Sequence, residues 1–123
     1  MQIFPKGKLN PEIAHFKGEN YMEMLASNQQ YDHGVANVTF MPGSRTDWHA
    51  HHFDQVLLIL SGRGWLQIQG QPRKLLQTGD SFTIPADVWH WHGATDDSEF
   101  VHIAVGADPN PSATEWGNPV DSF

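Results

Sequence analysis

Histidine is the residue whose placement carries the most chemical information in this chain. Among its 123 residues there are eight histidines, and four of them form two His-x-His pairs, His49 with His51 and His90 with His92. Side chains alternate faces along a strand, so the two members of each pair share a face. One such pair is more often a polar surface patch. Two pairs beside apolar strands predict a buried metal site, because burying several imidazoles without partners is unfavourable.

Gln55 has the same parity as His49 and His51, and it can reach the same ion from farther along the chain. An amide oxygen carries no charge. A site of neutral imidazoles and Gln55 would therefore keep the full charge of a divalent ion and act as a strong Lewis acid. Mixed nitrogen and oxygen donors suit an octahedral ion such as Mn²⁺, Fe²⁺, Co²⁺ or Ni²⁺ better than tetrahedral Zn²⁺. Alternatively, Gln55 could hydrogen-bond a ligand histidine instead of the metal.

The elements that must hold these residues read as many short strands separated by turn residues, a pattern typical of an all-β sandwich or closed barrel. The apolar run at Gln55–Leu60 predicts a buried strand that ends at a turn over Ser61–Gly64. A single helical turn is expected within Asn10–Lys17, with Asn10 as its cap. The remaining strands are predicted at Gly34–Gly43, Trp65–Gly70, on either side of the turn Thr78–Asp80, at Val88–Gly93 and at Glu99–Gly106. The tail after residue 106 reads as irregular, with Trp116 as its anchor.

Composition narrows the function further. The chain has no cysteine and a net charge of −7. Disulfides and thiolate metal sites are therefore ruled out, and a reducing, cytoplasmic location is expected. A nucleic acid or an anionic membrane would need a basic face, so neither is an expected partner. The length is that of one domain, and no apolar run approaches a membrane span or a signal peptide.

Two ordered motifs carry a resemblance to a known family. The spacing from Gly43 through His49, His51 and Gln55 to Gly62 resembles the first cupin motif, and Gly79, Pro85 and His90 resemble the second. The resemblance implies a single antiparallel β-barrel, or jelly roll, with its core at about residues 34–106 and a metal inside that is held by His49, His51, His90 and Gln55. The sequence departs from the family pattern at three positions, where Gln55 replaces a glutamate, Asp87 a glycine and Ala94 an asparagine.

Within that superfamily the chain is most similar to small single-domain cupins that include manganese-dependent hydroxynitrile lyases. The resemblance implies Mn²⁺, a small-molecule substrate, a homodimer and C–C bond chemistry of a hydroxynitrile lyase or a decarboxylase. It also implies that His92 and His102 line the pocket, where one could act as general base; His102 is the preferred candidate, and a buried histidine satisfied by a carbonyl is the alternative. An oxygen-activating dioxygenase and a non-catalytic ligand-binding module are the alternative functions.

For four further residues the sequence predicts a position in the fold rather than a chemical role. Thr46 has the opposite parity to His49, and the resemblance places it at the pocket edge. Trp89 and Trp91 are expected on the outer face, in packing or dimer contacts. His52 is expected at the surface, pointing away from the metal.

Overall fold

The fold is all-β and antiparallel in a computed structural model that describes residues 3–10, 13–28, 33–107 and 114–120. The strands are β1 (Lys8–Leu9), β2 (Phe16–Lys17), β3 (Asn20–Asn28), β4 (His33–Phe40), β5 (Arg45–Thr46), β6 (His49–Ala50), β7 (Gln55–Ile68), β8 (Lys74–Gln77), β9 (Ser81–Ile84), β10 (His90–Ala94), β11 (Phe100–Ala107) and β12 (Glu115–Trp116). Together they form the predicted jelly roll, because a curled sheet of this kind buries its inner face without needing helices.

Strand β7 joins the two halves of the jelly roll. Its first half pairs with β11 and β9, and its second half with β10 and β8. The strand order runs β1-β3-β4-β11-β7-β10-β5-β2, with β6 paired to β10 and β12 paired to β6. Since β6 and β10 are neighbours and β7 follows directly on β6, the two histidine-bearing segments are brought to one wall.

The prediction of a turn at Ser61–Gly64 is wrong, because these residues lie within β7, a continuous strand of 14 residues. Its glycines serve close packing instead. Gly62 has a φ of 78°, and a Cβ there would overlap the carbonyl oxygen of Glu99. A Cβ on Gly64 would overlap the ring of Phe100. The pairing of β7 with β11 shifts register between Val101 and His102, as at a β-bulge, so the strand bends without ending.

The apolar core lies between the two halves of the jelly roll. Phe40, Leu57 and Phe100 are completely buried, and Leu66 and Ile84 are each only 1% exposed. Trp91 is also completely buried, and its Nε1 donates a hydrogen bond to Oε1 of Gln67 at 2.8 Å. The packing role expected for Trp91 is therefore correct, and the residue lies on the face of β10 opposite His90 and His92, where it is covered rather than exposed.

The short helical element predicted near the N-terminus is present as one 3₁₀ turn at Ile13–His15. Pro11 and Glu12 lie outside the described residues, so the capping role of Asn10 stays a prediction. In the tail, Trp116 anchors β12, since its ring stacks on His15 at a centroid distance of 4.3 Å. No helix in the described part of the chain is long enough and apolar enough to span a bilayer.

Candidate metal centre

His49, His51 and His90 converge. Each offers one ring nitrogen, and the three nitrogens lie within 4.8 Å of one another. The ring centroids are 4.2 Å apart for His49 and His90 and 5.1 Å apart for His49 and His51. His49 and His90 are buried and His51 is half-buried. The two segments that the sequence predicts to share a metal therefore do meet.

Strand pairing accounts for this convergence. His90 on β10 stands directly opposite His49 on β6, and side chains of directly opposed residues lie on the same face. His51 follows β6, and Gln55 begins β7 after a short bend. Asp87, in the second motif, adopts a φ of 64°, so it retains the left-handed conformation that favours glycine at this position. The Asp87 departure therefore leaves the turn before β10 intact.

Hydrogen bonds orient the imidazoles for metal binding. Nδ1 of His49 lies 2.9 Å from the carbonyl oxygen of Asp47, and Nδ1 of His90 lies 2.9 Å from that of Val88. A carbonyl can only accept, so Nδ1 carries the proton in both rings and the lone pair is on Nε2. Nε2 of His90 is buried and has no hydrogen-bond partner among the described residues. Nδ1 of His51 lies 3.3 Å from the Thr114 hydroxyl. This donor set fits a metal ion.

Burial keeps two of these histidines, His49 and His90, neutral. Burial, followed by the neighbouring His90 and His51, holds the pKa of His49 well below its usual value. Burial lowers the pKa of His90 to about 4, although the hydrogen bond to Val88 opposes the shift. A neutral imidazole is the form that binds metals, so His49 and His90 can accept a cation without first losing protons.

Gln55 is buried and lines the same cavity as His49 and His51. Its placement is compatible with both predicted roles, ligation of the metal and hydrogen bonding to a ligand histidine. Metal ligation by Gln55 stays a prediction.

His92 and His102 extend the cluster away from the metal ligands. Both are buried and line the cavity, with ring centroids 5.1 Å apart, and His92 is 5.5 Å from His49. Nδ1 of His92 and both ring nitrogens of His102 lack a well-aligned hydrogen-bond partner among the described residues. Burial lowers the pKa of His102 to about 4, against a smaller opposing effect of the Ile103 backbone. Both predicted roles of His102, pocket residue and core histidine held by a carbonyl, are compatible with this placement.

Thr46 also lines the cavity, although its parity predicted the opposite face. The parity argument fails because β5 ends at Thr46 and the chain bends before β6 begins at His49. The Thr46 hydroxyl accepts a hydrogen bond from the backbone N–H of His92 at 3.2 Å. Thr46 therefore helps to hold β10 in place at the cavity wall.

His52 is exposed, as predicted, and its Nδ1 lies 2.9 Å from Oδ1 of Asp87. That hydrogen bond is the main cause of its raised pKa. His52 is thus adjacent to His51 in sequence but does not line the cavity. It can therefore serve as a control in mutagenesis of the cluster.

Sequence reasoning missed several residues that complete the cavity, whose volume is about 120 Å³. The cavity wall includes Phe16, Asn20 and Thr114, and the anchor Trp116 packs its ring 5.0 Å from that of His49. These residues come from the two ends of the chain, outside both motifs, and only the tertiary fold brings them to the site.

Comparisons with known proteins agree with this architecture. A family model described as Cupin domain matches residues 36–106. The (R)-mandelonitrile lyase of Granulicella tundricola is 36% identical over 81 residues, which are 66% of this chain and 62% of the relative. The match thus spans less than two thirds of that relative's length.

Solved structures share the fold. A cupin-like protein from Thermotoga maritima is 35% identical, with a TM-score of 0.87 over 98% of this chain and 91% of that chain. A second structure from the same organism, described as a predicted oxalate decarboxylase, has a TM-score of 0.71 at 22% identity over 80% of this chain and 88% of its own.

Proposed function

We propose that this chain, which belongs to the cupin family, is a metal-dependent lyase. Its reaction would be cleavage of the C–C bond of a small cyanohydrin. One observation carries the proposal. Three histidines converge on one point, and two further buried histidines with unsatisfied nitrogens line the same cavity. The similarity to a protein named (R)-mandelonitrile lyase supports the choice of reaction.

The metal would be held by His49, His51, His90 and Gln55. A divalent ion, with Mn²⁺ as our first choice, would supply Lewis acidity toward a substrate oxygen. Every one of these side chains is uncharged in its ligating form. The site therefore keeps the full positive charge, and it favours a substrate group that becomes anionic as it reacts.

His102 is the proposed general base. A ring nitrogen of His102 removes the hydroxyl proton of the cyanohydrin, and the electron pair of that O–H bond forms the C=O of the aldehyde. The bond to the nitrile carbon breaks as the C=O forms, and its electron pair leaves with cyanide. The resulting imidazolium returns the proton to give hydrogen cyanide, which restores the neutral base. His92, at 5.1 Å from His102, is the alternative base.

The cavity walls support such chemistry by excluding water. The ring of Phe40 packs edge-on against that of His92 at a centroid distance of 5.4 Å, and the ring of Trp116 lies 5.0 Å from that of His49. A low-dielectric surrounding strengthens the attraction between the metal charge and a developing oxyanion.

The test is cleavage of mandelonitrile by the Mn²⁺-loaded protein, followed by the appearance of benzaldehyde. We expect His51→Ala to lower both the bound metal and the rate, the rate by more than about a hundredfold, since a ligand matters at least as much as its supporting groups. His102→Ala should lower the rate by about 10²-fold or more while leaving the metal content unchanged.

His52→Ala is the matched control, because it removes an adjacent histidine that points away from the cavity; it should keep both metal and activity. The rate should also be the same without oxygen, since the proposed reaction consumes none. Absence of turnover by the metal-loaded protein, or turnover only in the presence of oxygen, would contradict the lyase proposal and favour the ligand-binding or dioxygenase alternative, respectively.

A further inference from the structure

A buried amide donor in the cavity wall lacks a partner. Asn20, the first residue of β3, is completely buried. Its Oδ1 accepts a hydrogen bond from Nδ2 of Asn10 at 2.8 Å, and the backbone N–H of Asn10 also bonds to the Asn20 carbonyl. Nδ2 of Asn20, however, meets no acceptor among the described residues. Leaving a buried amide donor without a partner is unfavourable, so this group is suited to donate to an acceptor on a bound ligand.

Asn20 lines the same cavity as the histidines, but from the opposite side of Phe40. It stands directly opposite Phe40 on β4, and β4 separates β3 from β11, which carries His102. Two strand spacings, roughly 10 Å of sheet, thus lie between the backbones of Asn20 and His102. The cavity therefore has polar groups at two separated places, the histidine cluster and the free amide donor.

The wall between these two places is apolar and partly aromatic. Phe16, Met22, Val38 and Phe40 line it, and the rings of Phe16 and Phe40 are 6.3 Å apart. No lysine, arginine, aspartate or glutamate is among the described residues that line the cavity. A volume of about 120 Å³ is close to that of an apolar cavity known to bind one benzene ring. These features fit a small, neutral aromatic molecule.

We infer that Asn20 forms a subsite for an oxygen at the far end of an aromatic substrate, remote from the reacting carbon. The aromatic ring occupies the apolar middle of the cavity, and the Nδ2 group of Asn20 donates a hydrogen bond to a hydroxyl or ether oxygen opposite the reactive substituent. Asn10 holds the Asn20 amide in the orientation that presents this donor. The inference rests on the proposed function for the position of the reacting carbon, and on the cavity alone for the distal oxygen.

The experiment compares the binding of two unreactive analogues, 4-hydroxybenzyl alcohol and 4-methylbenzyl alcohol, which differ by a hydroxyl in place of a methyl group of similar size. Dissociation constants are measured by titration calorimetry on Mn²⁺-loaded protein. We expect the wild type to bind the hydroxyl compound about three- to tenfold more tightly, the size of one net hydrogen bond. Asn20→Ala should lose that preference.

Asn37→Ala is the matched control: Asn37 is also completely buried, on the neighbouring strand β4, but its Nδ2 donates to the Pro5 carbonyl outside the cavity. This variant should keep the preference. A wild type that binds the methyl compound equally well or better, or that binds neither compound, would overturn the inference without any variant. A preference that survives in folded Asn20→Ala would overturn it as well. Because no turnover is involved, failure of the lyase proposal would leave this result readable.

Discussion

At the scale of single residues, the uncharged character of Gln55 is the feature with the sharpest consequence. Gln55→Glu would place a carboxylate where the cavity has only neutral donors. The metal should then bind about tenfold more tightly, because opposite charges attract strongly in a buried site. The same charge should weaken the Lewis acid, so we expect cyanohydrin cleavage to slow by about tenfold.

Chelator competition measures the metal affinity and benzaldehyde formation measures the rate. Gln69→Glu introduces the same charge at an exposed position and should change neither. If Gln55→Glu leaves metal affinity unaltered, Gln55 does not touch the metal and only supports a ligand histidine.

The convergence of the histidines could be predicted from sequence because motif spacing encodes it. His49 and His90 belong to two strand-associated segments whose order and spacing match a known pattern, and the structure brings them together. Thr46 shows where this reasoning ends. Its parity predicted the wrong face, because alternation holds only within an unbroken strand, and the bend before His49 resets it.

At the scale of elements, the strap of residues 114–120 forms part of the cavity wall through Thr114 and Trp116. The strap is fixed by β12 pairing with β6 and by Arg45, whose Nη2 donates to the Val120 carbonyl at 2.9 Å. Trp116→Ala should remove an aromatic wall next to His49 and admit water. We expect KM for mandelonitrile to rise by about tenfold, since a good part of a ring's apolar contact is lost.

Steady-state kinetics give KM, and thermal unfolding gives the accompanying loss of stability. Trp89→Ala removes another half-buried tryptophan, one outside the cavity wall. It should lower stability while leaving KM close to that of the wild type. Equal effects of both variants on KM would show that Trp116 acts through general stability alone.

Strands and turns could be predicted where the local sequence determines the backbone conformation, but not where tertiary packing determines it. The strands around the turn Thr78–Asp80 are present as β8 and β9, since the turn residues there meet ordinary turn requirements. At Gly62 the same residue type signals close approach to Glu99 within a continuous strand. A glycine needed for a turn and one needed for tight packing look identical in sequence.

At the scale of the whole molecule, a core that contains several neutral histidines makes the stability of the metal-free protein depend on pH. The pKa of His102 is about 4 in the folded protein, against about 6.5 when unfolded. Between these two pH values the unfolded chain binds a proton that the folded chain does not, so the free energy of unfolding falls as pH falls. His102 alone should contribute a loss of about 3 kcal/mol between pH 6.5 and pH 4.

Urea unfolding of chelator-treated protein across that range measures the effect. His102→Gln removes the titrating group, so its stability should decline less steeply with acid than that of the wild type. His52→Gln removes an exposed histidine whose raised pKa favours the folded state at low pH. The stability of this variant should therefore decline with acid at least as steeply as that of the wild type. An identical pH dependence in His102→Gln and the wild type would mean that the imidazole is hydrated in the folded protein. In that case the dry cavity on which both the base and the Asn20 subsite depend would need revision.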